Sequence, residues 1–328
     1  MKGRVWLVTG GAGFIGSNFV RLVLERESEA TVVNLDALTY AGVPATIAEL
    51  DEAGGGRHRF VEGDIRDAAL VERLVEDADV VVNFAAESHV DRSIAGPGVF
   101  LETNVVGTGV LVDAARRAGV GRFVQVSTDE VYGSVADGFA AEDWPLRPSS
   151  PYSASKAGAD LLVGSYGVTY GYGVITTRCT NNYGPYQFPE KVIPLFVTNL
   201  LAGEKVPLYG SGRNERDWIF VGDHCEALYL LVDEGTPGEV YNIGADAQLP
   251  NIELTRRILA AFGRGDEWID WVADRPGHDL RYAVDSGKIR RLGWAPGHGF
   301  DEWLDQTVDW YRRREDWWRP LKERSGRT

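Results

Sequence analysis

Two short stretches of this chain carry side chains able to move protons. Thr128-Asp129-Glu130 sets a hydroxyl beside two adjacent carboxyls, and Tyr152 stands four residues before Lys156. On a helix, positions 152 and 156 lie one turn apart on the same face. An ammonium there favours the phenolate, so Tyr152 is equipped to take a proton from a hydroxyl near neutral pH. Two neighbouring carboxyls can divide the work of an acid and a base. Alone, each stretch has a plain explanation: two acids at a strand end make a solvated turn, and a Tyr/Lys spacing of four is common. Their weight comes from what surrounds them.

Thr9-Gly10-Gly11-Ala12-Gly13-Phe14-Ile15-Gly16 follows the first apolar run. Glycines at 10, 13 and 16 allow a tight turn and bring backbone N–H groups close to a pyrophosphate, with the positive end of the next helix behind them. The motif sits at the end of a strand and the start of a helix, the context that makes it informative. Asp36 closes the second strand-like run twenty residues past Gly16. A carboxylate there accepts from ribose hydroxyls and repels a 2′-phosphate, which favours NAD over NADP. Asp64 closes the third run, where it reads equally as an adenine-edge acceptor or as the N-cap of a helix beginning near Asp67.

The elements that must hold these groups alternate. Strands are predicted at Val5–Val8, Thr31–Leu35, Arg59–Glu62, Val80–Phe84, Phe123–Val126 and Val174–Thr177. Helices are predicted near Ile15–Arg26, Ala68–Glu76, Gly98–Ala118 and Tyr152–Tyr170. Alternation of this kind gives an α/β fold with a doubly wound parallel sheet, and the nearly continuous apolar strands suit burial on both faces. After Asn181 the chain becomes richer in Pro, Gly and aromatic residues, with helices near Pro189–Ala202, Asp223–Glu234, Ile252–Phe262 and Phe300–Arg314. Residues 1–180 are read as the dinucleotide-binding domain, with some later segments returning to it. Residues 181–328 are read as a smaller mixed α/β lobe sharing one cleft with it.

Of 328 residues, 44% are hydrophobic and 25% charged, and the formal net charge is -14. Such a surface repels phosphate backbones and anionic lipids, which argues against nucleic-acid and membrane partners. An anionic substrate requires basic residues that converge locally. Arg216 and Arg275 are the candidates, since guanidinium grips phosphate oxygens in bidentate fashion. Cys179 and Cys225 read as two reduced, buried thiols, with no metal-ligand spacing. No signal peptide or membrane-spanning segment is expected, and the compartment is read as cytoplasmic.

The whole pattern resembles the extended short-chain dehydrogenase/reductase superfamily and, within it, the dTDP-glucose 4,6-dehydratases. The resemblance is carried by Asp36 to Gly42, Ala85 to Ile94, Ser127 to Gly133 and Ser150 to Lys156. It continues through Asn181 to Gln187, Pro189 to Lys191, Arg216 to Trp218 and Asp274 to Asp279. It implies a Rossmann-type fold, NAD as cofactor, and dehydration of dTDP-glucose to its 4-keto-6-deoxy derivative in deoxysugar biosynthesis. Glu130 is then the base at C5, Asp129 the acid that expels the C6 hydroxyl, and Thr128 a partner of the C4 oxygen. The resemblance also implies Phe14, Ile15, Leu38, Thr39, Ile65, Ala85, Ala86, Thr103, Tyr152, Lys156 and Asn182 beside the cofactor. Ser88, Asn181, Lys191, Val192, Pro207, Leu208, Tyr209, Asn251 and His278 join the two arginines around the nucleoside-diphospho-sugar. For Asn251 and His278, a cap or a loop hydrogen bond explains the residue as well.

The chain departs from the pattern at Val43, Asn83, Thr180 and the stretch Ala245 to Pro250, the last near the nucleotide. The same chemistry on UDP-glucose therefore stays open. A 4-epimerase needs no acid pair like Asp129-Glu130, and a dinucleotide sensor would need neither that pair nor Tyr152 and Lys156. The long helices near Gly98–Ala118 and Tyr152–Tyr170 either pair across a two-fold axis into a homodimer or pack only on the sheet.

Overall fold

Residues 3–325 are described by the computed structural model. In chain order its strands are β1 (Val5–Thr9), β2 (Thr31–Asp36), β3 (His58–Glu62), β4 (Val80–Asn83), β5 (Arg122–Thr128) and β6 (Val174–Cys179). They continue as β7 (Asn181–Tyr183), β8 (Val206–Tyr209), β9 (Glu215–Phe220), β10 (Val240–Ile243), β11 (Gln248–Pro250) and β12 (Ile269–Val272). Seven of these form one sheet in the order β10-β6-β5-β4-β1-β2-β3. Every pairing within it is parallel.

Side chains alternate across the sheet as the pleat requires. Trp6 and Val8 of β1 pack with Phe19, Val20 and Val23 of helix Phe14–Arg26 on one face. Leu7 packs on the other face with Val71 and Leu74 of helix Ala68–Val75, Leu111 of helix Thr108–Ala118 and Val163 of helix Pro151–Tyr170. Because the chain runs outward from β1 to β3 and then crosses to β4, the strand order reverses between β1 and β4. A crevice opens beyond the carboxyl ends of the strands at such a point.

The later residues divide between the layers. Helix Val221–Glu234 packs against helix Phe14–Arg26, and β10 joins the main sheet beside β6. The rest builds a three-stranded sheet, β11-β9-β7, and a two-stranded one, β12-β8. One apolar cluster runs from Trp6 and Phe19 through Phe196 and Trp218 to Tyr311 and Trp318, so the two parts share a core.

Three helical features differ from expectation. Helix Pro44–Gly54 was not anticipated, although Pro44 in its first turn and Gly55 in left-handed conformation (φ 54) after its end are the usual signals. Helix Glu315–Ser325 follows the expected terminal helix and buries Trp317 and Trp318. Trp317 donates to Thr46 Oγ1 and Trp318 to Tyr311 O, so this last helix is tied across the chain. Third, the helical run from Pro97 to Ala118 is π-helical over Leu101–Gly107. Contrary to the sequence reading, this run of 22 residues is long and apolar enough to cross a bilayer by length and composition. Its inner residues Leu111, Val112 and Ala115 pack into the sheet-facing core.

Candidate active site

The glycine turn packs as tightly as its composition implies. Gly10 has φ +74, and a Cβ there would lie 2.7 Å from Ala85 N. A Cβ on Gly16 would collide with Gly10 O. Gly13 is the N-cap of helix Phe14–Arg26 and offers no side-chain cap, leaving the first N–H groups to face an anion. Asp36 accepts from Ala12 N (2.9 Å) and Leu38 N (2.8 Å), and burial raises its carboxyl above the ordinary value. Leu38, with φ 49, thus serves through its backbone. Asp64 is not a helix cap: Asp67 caps helix Ala68–Val75, while Asp64 pairs with Arg66 at 2.7 Å.

One cleft collects most of the expected residues. Gly10, Gly13, Phe14, Ile15, Gly16, Asp36, Thr39, Asp64, Ile65, Ala85, Ala86, Thr103, Tyr152, Lys156 and Asn182 line it, with Ser88, Thr128, Glu130, Asn181 and Lys191. Leu38 and Asp129 stand behind that lining. The cleft also takes in Tyr40, Cys179, Gln187 and Glu190, which were not singled out. Tyr40, Gln187 and Glu190 lie inside the family-like stretches, so the signal was present; Cys179 had none beyond its place at a strand end.

Asp129 and Glu130 open a single 3-10 turn, Asp129–Tyr132, directly after β5. Thr128 caps that turn by accepting from Glu130 N, and it donates to Asp129 Oδ1 (3.3 Å). Among the described residues Asp129 Oδ2 has no partner. Burial first and the charge of Glu130 second push the Asp129 carboxyl well above its ordinary value. Burial raises Glu130 too, but Arg275, Arg216 and Lys191 all oppose the rise. Asp129 has one opposing cation, Arg216, with Asp217 adding to the rise. Both carboxyls are raised, Asp129 well above its ordinary value and Glu130 against the pull of three cations, which suits Asp129 to the acid and Glu130 to the base.

Tyr152 sits in the first turn of helix Pro151–Tyr170, fixed by a Ser150/Ser153 capping box with Pro151 between. Here the structure corrects an expectation. Burial, followed by Glu130, drives the Tyr152 phenol well above its ordinary value. Lys156 does not offset this, because Nζ donates to Val126 O at 2.7 Å. Burial lowers the lysine's own pKa, opposed by Asp160.

The expected substrate residues fall into two sets. Asn181 Oδ1 is buried without a partner among the described residues, and Lys191 Nζ donates to Ser88 O (3.1 Å). Lys191, Arg216 and Arg275 converge on Glu130 despite the acidic surface. Arg216 on β9 is anchored by Asp279 O (2.9 Å) and lies over the Tyr282 ring at 4.0 Å. Arg275 stands 3.9 Å from Asp91. His278 pairs with Asp274 (2.6 Å) and meets Tyr209 edge-on. Arg216, Arg275, His278 and Tyr209 stand outside the lining of this cleft, and so does the other set. Val192 begins helix Val192–Leu201 and packs toward the core. Leu208 is buried within β8, between Pro207 and Tyr209. Asn251 begins helix Asn251–Ala260, its N–H held by Asn214 O; the N-cap there is Pro250.

The family described as GDP-mannose 4,6 dehydratase matches residues 7–307. The chain is 56% identical over 324 residues to the dTDP-glucose 4,6-dehydratase of Streptomyces antibioticus, covering 97% of this chain and 95% of that one. The dTDP-glucose 4,6-dehydratase of Streptomyces venezuelae, solved with NAD and dTDP bound, is similar with a TM-score of 0.94 and 54% identity, covering 97% and 99%. A UDP-glucose 4-epimerase from Thermus thermophilus, in complex with NAD, is similar with a TM-score of 0.86 and 34% identity, covering 94% and 99%. Backbone shape is therefore shared between dehydratases and epimerases, and side chains must tell them apart.

Proposed function

Since this chain belongs to the GDP-mannose 4,6 dehydratase family, we propose that it is an NAD-dependent hydro-lyase converting dTDP-glucose into dTDP-4-keto-6-deoxyglucose. The observation that carries this reading is the Asp129-Glu130 pair beside Tyr152, with Asp129 buried and Glu130 lining the cleft where Arg275, Arg216 and Lys191 face it. The glycine turn, the uncapped start of helix Phe14–Arg26 and Asp36 suit a dinucleotide with free ribose hydroxyls.

NAD, when bound, supplies the hydride acceptor for C4 and the hydride donor for C6. Tyr152 Oη would take the proton of the C4 hydroxyl once the positive charge of bound NAD offsets the burial that raises the phenol, while Lys156 stays tied to Val126 O. With C4 a ketone, the C5 proton is acidic and Glu130 removes it. Asp129 gives its proton to the C6 hydroxyl, which leaves as water, and the C5=C6 bond forms. After reduction at C6, Glu130 returns a proton to C5. One water is lost, with no net redox change. Lys191, Arg216 and Arg275 suit the diphosphate.

The purified protein, incubated separately with dTDP-glucose and UDP-glucose, tests the reading. Mass spectrometry should show loss of one water from dTDP-glucose. Loss from UDP-glucose instead would keep the mechanism and move the substrate. Loss from neither, even with added NAD, would leave an epimerase or a sensor as the better account.

The buried, unpaired Cys179 and Cys225 support a reducing compartment, which we take to be the cytoplasm. The outer faces of the two long helices expose Leu101, Val106, Leu161 and Val168, and support a homodimer formed through them.

A further inference from the structure

His224 has no part in the chemistry above, yet it is wholly buried behind the cleft, on helix Val221–Glu234. Its Nδ1 lies 2.9 Å from Asn182 Oδ1, and Asn182 lines the cleft. Asn182 Nδ2 donates to Thr180 O (3.0 Å), which turns Oδ1 toward the ring. Nδ1 therefore carries the ring proton and donates it. Burial pushes the imidazole down to about 3, so the ring stays neutral. Asn182 is held at a third point, where its carbonyl accepts from Gln187 Nε2 (2.9 Å). Next to His224, Asp223 accepts from Gly297 N (3.0 Å) and from His298 N (3.2 Å), fixing the first turn of the same helix. A reversed Asn182 amide would set two acceptors together at Thr180. The amide thus has one orientation, with Nδ2 directed at Thr180 O and at Cys179 on the cleft wall.

We propose that His224 is a positioning residue for the dinucleotide: its Nδ1–H locks the Asn182 amide so that the cleft wall offers NAD a donor rather than an acceptor. The proposal rests on the reading of the cleft as an NAD site.

The test titrates NAD into protein stripped of nucleotide, following tryptophan fluorescence, with activity measured separately. His224→Leu removes the donor, and NAD binding should weaken about tenfold, the loss of one hydrogen bond. The KM for dTDP-glucose should stay within about twofold of the parent, a split that general loosening of the fold would not give. His224→Asn places an N–H where Nδ1 was and should restore NAD affinity. Asn182→Ala closes the cycle: combined with His224→Leu it should lose no more affinity than it does alone. Should the leucine variant not fold, His224→Gln takes its place, since its amide sits at the Nε2 position and leaves Asn182 unheld. Unchanged NAD affinity in the variant lacking the donor, or strictly additive losses in the cycle, would overturn the proposal. A parent protein that binds no NAD would instead overturn the reading of the cleft itself.

Discussion

Asp129 and Glu130 are neighbours of the same chemical type, and what separates them is the charge around each. Glu130 meets three cations and should act as the base. Glu130→Gln should stop exchange of the C5 proton with deuterated solvent and lower kcat by about 10²–10⁴-fold; full exchange in that variant would remove the assignment. Asp129 makes a second, independent prediction. Its folded pKa is raised above the unfolded one, so the stability from its proton is fully present below the unfolded pKa. That stability is lost as pH rises through the folded pKa. Asparagine does not titrate, so the melting temperature of Asp129→Asn relative to the parent should climb from acidic to alkaline pH. A flat difference across thermal melts would mean that Asp129 is not held protonated. The types and spacing of Asp129, Glu130, Tyr152 and Lys156 were legible in the sequence. Their environments were not: the Lys156 ammonium is directed by Val126 O, thirty positions away, and a spacing rule for helices carries no such information.

At the scale of elements, the π-helical stretch Leu101–Gly107 explains how the loop after β4 is held against the catalytic helix. Asn104, in its middle, is 1% exposed. Its Oδ1 accepts from Glu87 N (2.8 Å), and its Nδ2 donates to Glu87 O (3.0 Å) and to Ser155 Oγ (2.9 Å). One side chain thus closes the backbone of Glu87 as a strand neighbour would and ties it to the residue just before Lys156. Such bulged segments are often found at functional sites. Asn104→Leu keeps the volume and leaves both Glu87 groups without this partner. A loss of about 1–3 kcal/mol is expected in urea unfolding, and turnover should fall with it, since the tie to Ser155 is cut. An unchanged midpoint would show that Glu87 is satisfied otherwise. Apolar periodicity located this helix but not its change of winding, because a single wide turn barely alters the pattern. The signal was Asn104, a buried amide one turn before the buried Thr108 on the inner face.

For the whole molecule, the same helix has an outer face that the monomer leaves uncovered. Leu101 is 53% exposed, Val106 57% and Leu161 68%, on two helices that pack side by side. That face also accounts for a helix apolar enough to cross a bilayer in a chain whose net charge is -14. In the proposed homodimer a second copy would cover it at low cost, since a two-fold axis sets each patch against its own image. The sequence offered the pairing through two long helices and a family resemblance, with packing on the sheet as the alternative, and could not show which residues face outward. Leu161→Glu tests it. In a two-fold interface one substitution enters twice, so two carboxylates would be buried near each other without partners. The dimer should weaken by at least about 100-fold in favour of monomer, read by sedimentation. The cleft lies at the carboxyl ends of the strands and its lining includes no residue of the pair Val106 and Leu161, so NAD affinity should survive in the monomer. A parent protein that sediments as a monomer, or a Leu161→Glu variant that stays dimeric, would move the interface elsewhere on the surface.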